Sequence, residues 1–120
     1  RESYIAKYLR LKNPLVLTND NKNFITGKTG TKSVMWSLET GSPIRFFSEH
    51  AKAVVCMDIS KDGKLLATGD GSGEVNIWQI SNGKKIKTFK GHREPLFEVK
   101  FNRDASQLIT TSWDAYMAIW

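Results

Sequence analysis

The chain has 120 residues, of which 40% are hydrophobic and 25% are charged, and this composition excludes a disordered or collagen-like protein. Apolar runs such as Ala53–Met57 are too short to cross a bilayer. Cys56 is the only cysteine, which excludes an internal disulfide and favours an intracellular location, in the cytoplasm or nucleus.

The net charge of +6 is unevenly distributed along the chain. Residues 1–49 carry +4 (eight cations, four anions), residues 50–91 carry +3 (seven and four) and residues 92–120 carry −1 (three and four). The densest basic cluster contains Lys84, Lys85, Lys87 and Lys90. Two interpretations stay open: lysines on a half-exposed strand that deter edge-to-edge pairing, or a surface that follows phosphates.

In chain order, the sequence predicts short strands separated by turn signals every 8–12 residues, without a helical period. The first group contains Leu15 and Leu17, Phe24–Gly27, Val34–Trp36 and Ile44–Phe47. The second contains Val54, Met57 and Ile59, then Leu65–Thr68, Val75–Trp78 and Lys85–Phe89. The third contains Leu96, Val99 and Phe101, then Leu108–Thr111 and Met117–Trp120.

The three groups are copies of one unit. Trp36, Trp78 and Trp120 are spaced 42 residues apart, and the strands align between copies without a gap. A repeat of about 40–45 residues that ends in tryptophan is typical of β-propeller blades. We therefore predict an all-β fold of three antiparallel blades over about 1–48, 49–90 and 91–120, the last blade lacking its outer strand.

The motifs of the second and third copies resemble those of the WD-repeat family. They are His50…Asp62-Gly63…Trp78 and Gly91-His92…Ser112-Trp113-Asp114…Ile119-Trp120. The family's Trp-Asp dipeptide is imperfect here, since Ser37 and Gln79 follow the first two tryptophans. Since closed propellers have 4–8 blades, we expect a segment of a larger ring, seven-bladed by the resemblance. Its other blades come from the same chain or from a partner.

The resemblance also implies a hydrogen-bonded set of Trp, Ser/Thr, His and Asp in each blade. In the third copy these positions hold Trp120, Thr110, His92 and Asp114, with Ser112 as an alternative to Thr110.

The other two copies depart from the set. The middle copy keeps Trp78, Thr68 and His50, but Ser72 occupies the acidic position. We do not expect Asp70, two residues away, to compensate. The first copy keeps Trp36 and Thr26, with Tyr8 and Gly30 replacing histidine and aspartate. We therefore expect blade regularity to decline from the third copy to the first.

No motif indicates catalysis, a metal or a cofactor. Gly27-Lys28-Thr29 lacks the earlier glycine and following helix of a phosphate-binding loop. The segment from Asp70 to Glu74 lacks calcium-ligand spacing and is better explained as a hairpin turn. His50, Cys56 and His92 do not form a plausible zinc site, because the two histidines are about one blade apart. We predict that the protein is not an enzyme.

The sequence favours a protein-interaction scaffold within a multi-subunit complex. Candidate partner-binding positions are Trp113, Arg93, Glu94, Lys28 and Lys32, on the loops where the resemblance places partners. Trp113 either contacts a partner or packs on a neighbouring blade, and both interpretations stay open. The alternative function is a subunit of an RNA-processing or ribosome-assembly particle whose basic surface contacts RNA.

Overall fold

The computed structural model describes residues 14–27, 33–47, 50, 52–113 and 117–120. In these ranges the chain forms eleven β-strands and no helix, arranged as three antiparallel sheets. Accordingly, none of the described residues belongs to a helix long and apolar enough to span a membrane. The predicted all-β architecture is confirmed.

The first sheet contains, in order, β1 (Leu15–Leu17), β2 (Asn23–Gly27), β3 (Ser33–Ser37) and β4 (Pro43–Phe47). Its first turn is closed by Asp20, whose carboxylate accepts the Thr18 hydroxyl at 2.6 Å and the Lys22 N–H at 3.0 Å. These hydrogen bonds hold the pKa of Asp20 below its ordinary value. Asp62 and Asp104 close the corresponding turns of the other two sheets: Asp62 accepts from Ser60 and Lys64, and Asp104 accepts from Ser106.

The second sheet contains β5 (Val54–Ile59), β6 (Leu65–Asp70), β7 (Glu74–Gln79) and β8 (Lys84–Lys90), again in sequence order. The third sheet contains β9 (Leu96–Phe101), β10 (Leu108–Ser112) and β11 (Met117–Ile119), with β10 in the middle. The predicted strands are therefore present, with ends that differ by one or two residues. In the described part, the third sheet has three strands, whereas the other two have four.

An apolar core joins the first sheet to the second. Phe47, from the outer strand of the first sheet, packs against the edge of Trp78 with ring centroids 5.8 Å apart. The two rings meet in the T-shaped arrangement that aromatic pairs favour. The other buried residues of this core are Ile25, Met35, Val54, Met57, Leu66 and Ile80.

The second and third sheets meet in a similar core. Phe89 stacks on Trp120 with ring centroids 4.8 Å apart, 42 residues after the Phe47–Trp78 pair. The buried residues of this core are Cys56, Ala67, Val75, Ile77, Leu96, Val99 and Leu108. An aromatic pair at equivalent positions thus joins adjacent sheets twice, T-shaped in the first core and stacked in the second. The three sheets lie side by side as adjacent blades.

Candidate functional site

Each sheet contains a hydrogen bond from its tryptophan to a threonine on the neighbouring strand. The indole Nε1–H donates to Thr Oγ1 in the pairs Trp36–Thr26 (3.0 Å), Trp78–Thr68 (2.8 Å) and Trp120–Thr110 (3.1 Å). Each threonine precedes its tryptophan by 10 residues, and the antiparallel pairing of the hairpin brings the two side chains together. The indole N–H groups are thereby satisfied.

In the second sheet this bond continues into a buried network. Thr68 Oγ1 lies 2.5 Å from His50 Nε2, and His50 Nδ1 lies 3.0 Å from Asp70 Oδ2. Thr68 Oγ1 accepts a hydrogen bond from the indole N–H of Trp78, so its own hydroxyl can donate to His50 Nε2. In a neutral imidazole the remaining proton is then on Nδ1, which donates to Asp70. The network anchors the loop before β5 to the β6–β7 hairpin.

The expectation that Asp70 does not compensate for Ser72 is wrong. Asp70 is fully buried and binds His50, while its Oδ1 accepts the hydroxyl (2.7 Å) and N–H (2.9 Å) of Ser72. The N–H of Glu74 donates to the same oxygen at 3.0 Å. The acidic member of the network is therefore Asp70, at the end of β6, and Ser72 donates hydrogen bonds to its carboxylate. The expected loss of regularity in the middle copy does not occur.

The environment of Asp70 favours its ionised form. Burial raises the pKa of a carboxyl, but the hydrogen bonds from Ser72, Glu74 and His50 outweigh this effect. The pKa of Asp70 is therefore lowered from its ordinary value. The carboxylate is held as the acceptor of the network at neutral pH.

The first and third copies are described only in part. In the third, His92 Nε2 lies 2.8 Å from Thr110 Oγ1, so Thr110 takes the predicted position. Ser112 instead donates to the carbonyls of Glu94 and Pro95, each at 3.0 Å. The remaining predicted positions, Asp114, Tyr8 and Gly30, lie outside the described residues.

In the described part of the chain, only one group of His, Cys, Asp or Glu side chains lies close enough together to hold a metal ion. One ligand atom each from His50, Asp70 and Glu74 lies within 4.8 Å of the others. However, His50 Nδ1 donates to Asp70, and Glu74 Oε2 accepts the Asn76 amide at 3.1 Å. The same atoms are already used in the network, so the arrangement is explained by structural hydrogen bonding.

Cys56 does not join this group. Burial, with smaller contributions from Glu98 and Asp70, raises the pKa of its thiol to about 12. The thiol therefore stays protonated at neutral pH, a poor state for a metal ligand or a nucleophile. Of the phosphate-loop-like motif, Gly27 ends β2, whereas Lys28 and Thr29 lie outside the described residues.

An exposed aromatic pair marks the loop end of the third sheet. Phe97 and Trp113 are 52% and 66% exposed, and their ring centroids are 4.8 Å apart. Phe97 has no cross-strand partner in the β9–β10 register, because a bulge places it between the paired residues Leu96 and Glu98. Trp113 therefore packs on its own sheet and remains mostly exposed. Both interpretations of Trp113, contact with a partner and packing on a neighbouring blade, stay predictions.

The pair is held by backbone contacts. The N–H of Trp113 donates to the carbonyl of Pro95 at 3.0 Å, beside the two bonds of Ser112. The predicted positions Arg93 and Glu94 are exposed in the same loop, before β9. Lys28 and Lys32 lie outside the described residues.

Sequence reasoning missed Phe97, because strand alternation does not reveal a bulge. The structure repeats this feature in the second sheet, where Val55, 42 residues earlier, occupies the equivalent bulge and is also exposed. A bulge turns the extra side chain away from its regular direction. An aromatic residue at that position is therefore directed to the surface.

The chain resembles known proteins over most of its length. A family model described as "WD domain, G-beta repeat" matches residues 41–79 and 83–120. Similar solved structures include those of U3-55K (33% identity, TM-score 0.83) and of the RRP9 WD40 repeats (33% identity, TM-score 0.84). Each covers 89% of this chain, which spans 35% and 34% of those chains, respectively. No curated protein sequence gives a significant match.

The matched repeats and the sheets are out of phase. The repeat at 41–79 supplies β4 to the first sheet and β5 to β7 to the second. The repeat at 83–120 supplies β8 to the second sheet and β9 to β11 to the third. Adjacent sheets therefore share a repeat. With two matched repeats, the buried tryptophan network and this blade arrangement, the chain belongs to the WD-repeat family of β-propellers.

Proposed function

We propose that this chain is part of a non-catalytic propeller scaffold that holds protein partners within a multi-subunit assembly. The observation that carries the proposal is the exposed pair of Phe97 and Trp113. Tryptophan is among the residues most often found as binding hot spots, and aromatic residues are enriched in interfaces. A partner that covers these two rings would remove a contiguous apolar surface from water.

Preorganisation supports the same role. The two rings contact each other, and the backbone bond from Trp113 to Pro95 fixes their loop. The two side chains therefore lose less conformational entropy when a partner binds than two independent side chains would. Arg93 and Glu94 supply charged groups in the same loop, as an interface rim requires. Lys28 and Lys32 remain proposed partner contacts.

The wider assembly is also a proposal. We propose a closed ring of seven blades in the cytoplasm or nucleus, in which other blades cover the outer faces of the first and third sheets. These blades belong to the same chain or to a partner. A ring would remove the exposed sheet edges that otherwise favour aggregation.

Affinity purification of the tagged protein tests the docking surface. Phe97→Ala and Trp113→Ala should each release the same partners, whereas Leu38→Ala should retain them. Leu38 is the matched control because it is exposed at the opposite end of the first sheet, in the turn after β3. Unchanged partner recovery with both aromatic variants would refute this surface.

The second candidate is the RNA-processing or ribosome-assembly subunit. It is favoured by the nine described lysines, none of which has a carboxylate of another described residue within 4.0 Å. If they contact single-stranded RNA, the logarithm of affinity should fall with the logarithm of salt by about 0.7 per phosphate contact. A shallow salt dependence would favour the protein scaffold.

A further inference from the structure

The outer strand of the second sheet is the most basic element of the described structure. β8 is seven residues long and contains Lys84, Lys85, Lys87 and Lys90, with no acidic residue. All of its side chains are exposed except Phe89, which is half-buried against Trp120. Four cations therefore lie along about 20 Å of extended backbone.

Nothing within the sheet neutralises this charge. Glu74 is opposite Lys90 in the β7–β8 register and is the only acid on β7. Its carboxylate accepts the Asn76 amide and lies 3.8 Å from His50 Nδ1, so it is directed to the buried network. Among the described residues, none offers a carboxylate within 4.0 Å of the four ammonium groups. The strand is therefore an uncompensated cationic surface.

An exposed apolar residue lies in the middle of the lysines. The register passes from Ile77↔Lys87 to Trp78↔Lys85, which leaves Ile86 unpaired in a bulge. Ile86 is 53% exposed.

The equivalent strand of the first sheet lacks the cationic surroundings. Its bulge holds Ile44, 42 residues before Ile86 and also exposed. The one cation of β4, Arg45, donates to the carbonyl of Ile80 at 3.0 Å, between the first two sheets. Among the described strands, β8 alone therefore combines an exposed isoleucine with several cations that lack a described carboxylate partner, although the ammonium group of Lys87 lies over the Phe89 ring.

We infer that β8 binds an acidic, extended segment of a partner protein. Aspartate and glutamate side chains of the segment pair with the four lysines, and one apolar side chain packs on Ile86. The inference rests on the proposed scaffold function and names the chemistry of one partner. Its surface is distinct from the Phe97–Trp113 pair.

One feature favours a peptide over other polyanions, and another favours contact through side chains over addition of a strand. A phosphate backbone satisfies the lysines but offers no apolar group to Ile86, whereas a peptide with one apolar residue among acids satisfies both. The bulge and the lysines also disfavour addition of a further strand to the β8 edge. The contact is therefore made through side chains rather than by extension of the sheet.

Binding of labelled probes to the purified full-length protein tests the inference. The probes are a ten-residue peptide of aspartate and glutamate with one central leucine, the same peptide with central serine, and a twelve-nucleotide uridylate RNA. We expect the leucine peptide to bind most tightly. The double variant Lys85→Glu/Lys87→Glu should weaken its binding by about tenfold or more.

Matched variants separate this site from general charge attraction. Lys22→Glu/Lys61→Glu changes the net charge equally on exposed turns of the first and second sheets, and should leave peptide affinity within about twofold. Ile86→Thr keeps a β-branched residue and should abolish the preference for leucine over serine. Trp113→Ala should leave peptide binding unchanged.

Several results would overturn the inference. They are no binding of the leucine peptide, an equal loss in both double variants, or uridylate binding that is tighter and insensitive to Ile86→Thr. The last result would assign β8 to nucleic acid. Loss of partners with Trp113→Ala would still support the scaffold in any of these cases, so the two proposals fail separately.

Discussion

Asp70 is the residue on which the buried network of the second sheet depends. Its carboxylate accepts hydrogen bonds from His50 Nδ1 (3.0 Å), from the hydroxyl and N–H of Ser72, and from the N–H of Glu74. Asp70→Ala removes all of these acceptors together. The side chains of His50 and Asp70 are both fully buried, so water cannot replace the lost carboxylate at the imidazole.

The loss of unfolding free energy in Asp70→Ala follows from the hydrogen-bond donors that are left without an acceptor. A buried polar group that loses its partner costs about 1–3 kcal/mol, and the buried imidazole bears this cost in full. The donors of Ser72 and Glu74 are partly exposed and recover some hydration. We expect Asp70→Ala to lower the free energy of unfolding by about 2–4 kcal/mol. Ser72→Ala removes one bond from an oxygen that keeps two donors, and should cost about 1 kcal/mol.

Urea unfolding of both variants, followed by tryptophan fluorescence, measures the difference. A loss in Asp70→Ala no larger than that in Ser72→Ala would show that the network does not stabilise the fold as described. Asp70→Asn is the control for shape, because it keeps an acceptor while removing the charge.

The stabilisation also depends on pH. The pKa of Asp70 is lower in the folded protein, so the folded state favours the ionised carboxylate. Its contribution is complete above the ordinary pKa of 3.8 and is lost as the pH falls through the lower native value. The stability gap between wild type and Asp70→Asn should therefore narrow only below about pH 4. A gap that closes between pH 7 and 5 would point to a different group.

Four further substitutions test other parts of the structure by the same unfolding assay. Trp78→Ala should cost about 3–5 kcal/mol through the cavity it leaves, whereas the exposed Trp113→Ala should cost less than about 1 kcal/mol; equal losses would contradict the assigned burial. Ser33→Ala should stabilise by about 1 kcal/mol, because the buried Ser33 hydroxyl has no hydrogen-bond partner among the described residues; a loss would show that a partner exists. Gly73→Ala should destabilise by about 2 kcal/mol or more, since its φ is +91° and a Cβ would meet the His92 backbone; an unchanged midpoint would refute this contact.

The fold was predictable because every copy repeats the same physical pattern. Strand alternation, turn residues and a tryptophan every 42 residues define the sheets and place Trp78 and Trp120 in the cores between them. The acid of the second network was not predictable from alignment, because Asp70 belongs to the end of β6 while the aligned position holds Ser72.

The exposed candidate surfaces were harder to predict than the buried ones. Phe97 and Ile86 both lie in bulges, where one extra residue changes the direction of a side chain without a clear signature in sequence. Trp113 could be identified as a candidate, but its contact with Phe97 could not. Buried positions are specified by periodicity, whereas these surface positions are specified by local breaks in it.

The offset between repeats and sheets has a consequence for cleaved forms of the protein. A single backbone cut between Ser81 and Gly83 would divide the chain between β7 and β8. The C-terminal fragment would then contain β8, which completes the second sheet, whereas β5, β6 and β7 of that sheet would belong to the N-terminal fragment. The Phe89–Trp120 stack would still connect that strand to the C-terminal fragment. The two fragments should therefore remain associated after proteolysis and reassemble when mixed, as complementing halves of a split protein.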